Sequence, residues 1–363
     1  MNLLANTARF DARKGAAFFA AADAEVNIKR NASVSVVIPC FNEERFIAGV
    51  LQNLANQFEH DSYELIVVDG RSTDNTRKVV ADFAQRNPQL PVKIIDNPAR
   101  SIPVALNLGI REAHGEFIVR MDAHSVPSEG YVRRCVQLLG SGEISVVGMP
   151  WQIRPGTGTT VAKAIAHAVA HPFGIGDAQY RLKPSTSQFV DTVPFGAFRK
   201  SLWSSLGGFN EELLANEDYD FNYRVRTQGG KVLLDSAEHS NYFARATLKD
   251  LGAQYSRYGH WKAQMVKLHP RSIRLRHLAA PAFVSALIVF GLLSFFWLPA
   301  LWALLLVLGS YVLLGLVFSV SIARRNREWK LVFILPAVFL VIHCAWGLSF
   351  LLGLPKPPRQ QST

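Results

Sequence analysis

Residues 278–297, 301–320 and 331–353 contain no Asp, Glu, Lys or Arg, and no other feature limits the fold as strongly. A helix needs about 20 apolar residues to cross a bilayer, and each run has that length. One such run could be a helix buried in a soluble core; three in close succession predict three transmembrane helices over 278–354. The formal net charge of +11 sorts itself around them. Residues 1–244 hold 25 Lys and Arg against 26 Asp and Glu, whereas residues 245–277 hold eight basic residues and one acid. Arg324–Lys330 adds four basic residues and one acid. Cations that flank apolar spans mark cytoplasmic loops and a surface drawn to anionic lipid. The surplus charge therefore speaks for membrane lipids as partners and against nucleic acid.

Applied to the loops, that bias places Arg271, Arg274, Arg276, Arg324, Arg325, Arg327 and Lys330 inside, with the large N-terminal part cytoplasmic at a plasma (inner) membrane. The expected organisation is a leader over 1–32, a cytoplasmic domain over 33–244, a basic interfacial segment over 245–277, the three spans and a short tail over 355–363. Cys40, Cys135 and Cys344 are isolated and form no paired framework, as in a reducing compartment.

Within 33–244, apolar runs alternate with helical periodicity. "VSVVIP" reads as a strand buried on both faces, followed by a helix with Asn42 as its N-cap. "ELIVVDG", "VKIIDN" and "EFIVRMDAH" repeat the pattern, each strand but the last followed by a helical stretch. Such alternation predicts an α/β fold, Rossmann-like, with a mostly parallel sheet covered by helices on both faces. Ligands of these sheets bind beyond the carboxyl ends of the strands. That singles out Phe41, Asn42 and Glu43, then Asp69, then Asp122 and His124. No glycine-rich phosphate loop is present. Phosphates would need another counter-charge, and Asp122 with His124 offers oxygen and nitrogen ligands for a divalent cation, Mn²⁺ or Mg²⁺.

Four segments in order, "VVIPCFNEE", "IVVDGRSTDNT", "GEFIVRMDAH" and "GAFRKSLWSSLGGFNEELLANEDYDFNYRVRTQGG", resemble the family-two inverting glycosyltransferases of GT-A fold, closest to the succinoglycan ExoA-type branch. The resemblance spans roughly residues 33–265. It implies that Pro39, Phe41 and Glu43 border the nucleotide base and ribose of a UDP-sugar, and that Asp69 bonds the uracil ring. Asp122 and His124 fall where the family carries two metal-binding aspartates, and Asp218 matches the general base. Glu217 would orient the acceptor or a neighbouring helix. "QYSRY" resembles the family's Q-x-x-R-W element with Tyr258 in place of Trp. Arg257, Tyr258 and Trp261 would then face an acceptor, although the same residues suit a membrane interface.

The resemblance implies a hexosyltransferase that extends a lipid-diphosphate-linked saccharide in exopolysaccharide biosynthesis, with glucose as the sugar, alongside other polysaccharide-assembly enzymes. The chemistry has its own logic. A metal ion offsets charge on a departing nucleoside diphosphate, and a carboxylate takes the proton of the attacking hydroxyl. Two other readings stay open: a processive polysaccharide synthase, and a membrane-tethered nucleotide-sugar-binding protein without turnover. Bland roles also remain, with Asp69 as a helix cap, Asp122 as a turn residue and His124 bonded to a neighbouring backbone group.

Overall fold

The computed structural model describes residues 33–57 and 62–355; the leader expected over 1–32 and the tail from 356 onward lie outside the described residues. The strands are β1 (Val34–Cys40), β2 (Tyr63–Asp69), β3 (Val92–Asp96), β4 (Phe117–Arg120), β5 (Val126–Pro127), β6 (Val146–Gly148), β7 (Trp151–Arg154), β8 (Gln188–Phe189), β9 (Ala197–Arg199), β10 (Val232–Leu234) and β11 (Ser240–Phe243). The longer helices of the sheet region are α1 (Ile47–Ala55), α2 (Thr76–Arg86), α3 (Ile102–Glu112), α4 (Tyr131–Gly140), α5 (Thr160–Ala168) and α6 (Glu217–Thr227). Four more follow: α7 (Leu248–Leu268), α8 (Arg276–Leu293), α9 (Leu298–Asn326) and α10 (Leu331–Gly353).

The main sheet runs β3-β2-β1-β4-β9-β6-β10-β8. β3, β2, β1 and β4 are mutually parallel, while β9 enters antiparallel between β4 and β6. β1 is paired on both edges and covered on both faces, which is why "VSVVIPC" is buried except at Pro39. A small second sheet, β5-β11-β7, lies beside the carboxyl end of β4.

Two sequence expectations shift here. β4 stops at Arg120, before Asp122 and His124. The chain turns at once, with the Ser125 amide bonded to the Asp122 carbonyl at 3.1 Å. Asp122 and His124 thus stand on a turn beyond the strand. α1 begins at Ile47, and Asn42 is not its cap. Asn42 instead adopts the left-handed conformation, φ 54°, and its Oδ1 accepts from the Thr73 amide at 2.8 Å. An asparagine tolerates that backbone and can bond a neighbouring turn. The Asn42 and Glu43 amides in turn donate to Ser72 Oγ and Thr76 Oγ1, each at 2.8 Å. The loops after β1 and β2 are thereby laced into one rim.

α8, α9 and α10 are long and apolar enough to cross a membrane. α9 runs on past residue 320 through Arg324 and Arg325, because the chain leaves the helix only at Arg327, φ 55°. α9 keeps Leu306, Leu313 and Val317 outside, whereas Leu331, Leu335, Val338, Phe339 and Ile342 of α10 are buried in the core that also contains Trp151, Tyr242 and Tyr255. One face of α10 therefore belongs to the core of the α/β body. α7 packs along it, and Gly259 permits the approach: a Cβ there would lie 2.2 Å from the Trp346 carbonyl oxygen. Gly259→Val should force the helices apart and reduce stability by about 1–3 kcal/mol. The readout is thermal unfolding of the detergent-solubilised chain, where an unchanged midpoint would contradict this packing.

Candidate active site

The last residue of β4 is an arginine at the end of an apolar strand. Arg120 is 4% exposed, and an arginine buried this deeply requires acidic partners. It has three. Nη1 donates to Glu217 Oε1 at 2.8 Å and to Asp218 Oδ1, and Nη2 donates to Asp122 Oδ1 at 3.3 Å. Burial works against the charge on Arg120, yet Asp218, Asp122 and Glu217 outweigh it and raise its pKa. The sequence reading did not single out this residue. Its signal was present: a lone cation inside an otherwise apolar strand.

Glu217, Asp218 and Asp220 form the first turn of α6, where the helix dipole favours negative charge. Asn216 brings the chain into that turn in a left-handed conformation, φ 66°. Glu217 is buried and its Oε1 lies against Arg120, so it orients the arginine. Asp218 keeps 23% of its side chain accessible and lines a cavity. Desolvation raises its pKa, Arg120 opposes, and Glu217 and Asp122 add to the rise, leaving it at about 7. A carboxylate with that value is suited to accept a proton near neutrality. Behind it, Tyr219 Oη lies 2.9 Å from Asp191 Oδ2 and 3.1 Å from the Ser272 carbonyl. His269 Nε2 lies 2.8 Å from Asp220 Oδ1, and Arg276 pairs with Asp191. α6 is thus clamped to the segment that leads into α8.

Asp122 and His124 line the same cavity as Asp218. His124 Nδ1 is 2.9 Å from Glu43 Oε1. That bond, more than the opposing desolvation, raises the histidine pKa, and Asp122 adds to it. A carboxylate on Nδ1 also directs Nε2 outward, as in histidines that bind metals. Among the described residues no three His, Cys, Asp or Glu side chains converge as a metal cage. Asp122 and His124 could supply at most an oxygen and a nitrogen to a divalent cation, whose other ligands would have to be phosphate oxygens and water.

The rim laced at Asn42 holds the other residues expected at a nucleotide. Phe41 is 43% exposed, with the Arg100 guanidinium 5.0 Å from its ring centre. Pro39 is half-buried at the end of β1. Asp69 is buried, and its carboxylate accepts from the Ser72 amide at 3.0 Å and from Arg77 at 2.9 Å. Its hydrogen bonds hold the rim.

The cavity, about 680 Å³, runs from Arg120, Asp122 and Asp218 to Phe283, Tyr311 and Trp346 of the apolar helices. Arg257 and Tyr258 of α7 line it. Trp261 is not among its walls; it stands edge-on to His260. Two further wall residues, Arg181 and Lys262, carried no sequence signal, because their surroundings come from distant segments.

The profile of Glycosyl transferase family 2 matches residues 35–206. The chain is 26% identical over 329 residues to a dolichyl N-acetyl-alpha-D-glucosaminyl phosphate 3-beta-D-2,3-diacetamido-2,3-dideoxy-beta-D-glucuronosyltransferase of Methanococcus voltae, covering 89% of this chain and 97% of the relative. It is 27% identical over 320 residues to the succinoglycan biosynthesis protein ExoA of Rhizobium meliloti (strain 1021), covering 87% and 93%. Among solved structures, the mannosyltransferase PcManGT from Pyrobaculum calidifontis, in complex with GDP-Man and Mn²⁺, superposes with a TM-score of 0.61 at 20% identity, covering 87% of each chain. That likeness identifies the α/β body as a GT-A fold.

Replacing Arg120 by Met would leave three carboxylates facing one another without a counter-charge. The variant should lose about 3–5 kcal/mol of stability. Chemical denaturation of the purified protein measures this, and a loss below about 1 kcal/mol would show that the guanidinium is not the organising charge.

Proposed function

Since the profile of Glycosyl transferase family 2 matches residues 35–206, we propose that the chain is an inverting hexosyltransferase of that family. In this reading it moves a sugar from a UDP-sugar onto a lipid-diphosphate-linked saccharide at the inner face of a membrane. One observation carries the reading. Asp218 and the Asp122–His124 pair open onto one cavity, and that cavity continues to the helices apolar enough to span a bilayer. The full-length similarity to a transferase named for a dolichyl phosphate-linked substrate, and to a succinoglycan biosynthesis protein, supports the lipid-linked acceptor and exopolysaccharide assembly. Glucose as the sugar rests on the succinoglycan-type resemblance.

The same reading assigns the roles. Pro39, Phe41 and Glu43, at the rim that Asp69 helps to hold, border the base and ribose, and Asp69 bonds the uracil ring. Asp122 and His124, oriented by Glu43, would hold Mn²⁺ or Mg²⁺, which supplies Lewis-acid charge to the diphosphate. Asp218 takes the proton of the acceptor hydroxyl while that oxygen bonds the anomeric carbon. The bond from that carbon to the diphosphate breaks in the same displacement. Attack from the side opposite the leaving group inverts the anomeric centre.

Membranes containing the chain, incubated with labelled nucleotide sugars and lipid-linked acceptors, should add a single sugar. A long polymer, or binding without turnover, would overturn the proposal. Asp218→Asn should retain donor binding and lose transfer by about 10²–10⁴-fold. Below about pH 7 the wild-type carboxylate gains a proton and ceases to act as a base. The acceptor kcat/KM should therefore drop about tenfold per unit on the acid side and level off above it. A flat profile would remove Asp218 from the role.

A histidine in place of a second aspartate would lower the negative charge of the ligands around a bound cation and favour Mn²⁺ over Mg²⁺. His124→Asp should narrow that preference in transfer assays across the two metals. Equal activity with both metals in the wild type, unchanged by the substitution, would exclude His124 as a ligand.

A further inference from the structure

Arg181 sits in the short helical turn Gln179–Leu182 and is 5% exposed. Its guanidinium lies 4.7 Å from the ring centre of Trp151, 5.5 Å from Tyr180 and 5.7 Å from Tyr242. Nε reaches Tyr180 Oη at 3.4 Å, and Nη1 is buried with no hydrogen-bond partner. Arg120, the other buried arginine among the described residues, has three carboxylates. Arg181 has none within ion-pair distance among the described residues.

An arginine cannot relieve such a position by losing its proton. Aromatic faces stabilise the cation but offer no acceptor in the plane of its N–H groups. The missing partner is therefore an anion with oxygen atoms that can receive a planar fork, as phosphates do. Arg181 lines the cavity that joins Asp218 to the apolar helices, so the partner can come from that space. Tyr258 and Lys262 line it too. Lys262 is 3% exposed, lies 3.3 Å from the Tyr219 ring centre and makes no ion pair among the described residues.

We propose that Arg181 is the anchor for the phosphate or diphosphate of a polyprenyl-type acceptor, whose chain leaves the cavity past Phe283, Tyr311 and Trp346. This rests on the transferase reading above for its identification as an acceptor. The anion site itself rests on Arg181 alone. The donor's diphosphate is assigned to Asp122 and His124, and the lipid's anionic head is a second anion, held by Arg181.

Binding to the full chain in detergent micelles tests this with farnesyl diphosphate, farnesol, inorganic pyrophosphate and UDP as probes. The wild type should bind farnesyl diphosphate at least about tenfold more tightly than farnesol or pyrophosphate. Arg181→Met should abolish the advantage over farnesol while leaving farnesol and UDP affinities unchanged. Arg181→Lys, which keeps the charge but loses the fork, should retain part of it.

Equal wild-type affinity for farnesyl diphosphate and farnesol would overturn the proposal without any variant. Pyrophosphate binding as tightly as farnesyl diphosphate would mean a free-phosphate site and overturn the lipid source. Loss of UDP affinity in Arg181→Lys would assign the arginine to the donor, and equally overturn the proposal. These readouts need no turnover. Absence of glycosyl transfer would sink the enzymatic reading and leave the anion site standing.

Discussion

Three carboxylates converge on one guanidinium. Asp122 comes from the turn after β4, Glu217 and Asp218 from the start of α6, and Arg120 from the strand between them. Without a central cation these groups would repel one another in a poorly solvated space, and neither the turn nor the helix could settle against the sheet. The arginine is permanently charged and planar, so it satisfies several oxygens at once. The same contact that closes the fold here also sets Asp218 at the mouth of a cavity and keeps its proton affinity near neutrality.

The rim and the cavity differ in character. The loops after β1 and β2 bind each other through side chain to backbone hydrogen bonds, which gives a stiff rim with Phe41 exposed. Toward the apolar helices the cavity walls are aromatic, and Arg181 lies buried against aromatic rings with no carboxylate partner among the described residues. A polar, flat ligand suits the rim, and an amphiphile with an anionic head suits the cavity.

Much of this was legible in the sequence, and the reasons differ from residue to residue. β1 and β2 were readable because a strand buried on both faces must be apolar throughout. Asp122, His124 and Asp218 were readable because polar groups past strand ends and the ordered motifs drew attention to them. Asn42 was misread as a cap, since the same side chain that caps a helix also bonds a neighbouring turn. Arg120 sat inside "FIVRMDAH", yet its three partners are up to 98 positions away. Arg181 was invisible, as its cage of Trp151 and Tyr242 is assembled only by the second sheet. α10 was legible as a helix long and apolar enough to cross a membrane, but a helix apolar all round does not disclose which face turns inward.

The residues immediately after Asp218 are held from below. Tyr219 meets Asp191 and the Ser272 carbonyl, Asp220 meets His269, and Asp191 meets Arg276 at the start of α8. No flexible linker separates Asp218 from the first apolar helix. Its distance from α8 is consequently fixed by side-chain lengths, and a tilt of α8 and a displacement of Asp218 are one mechanical movement.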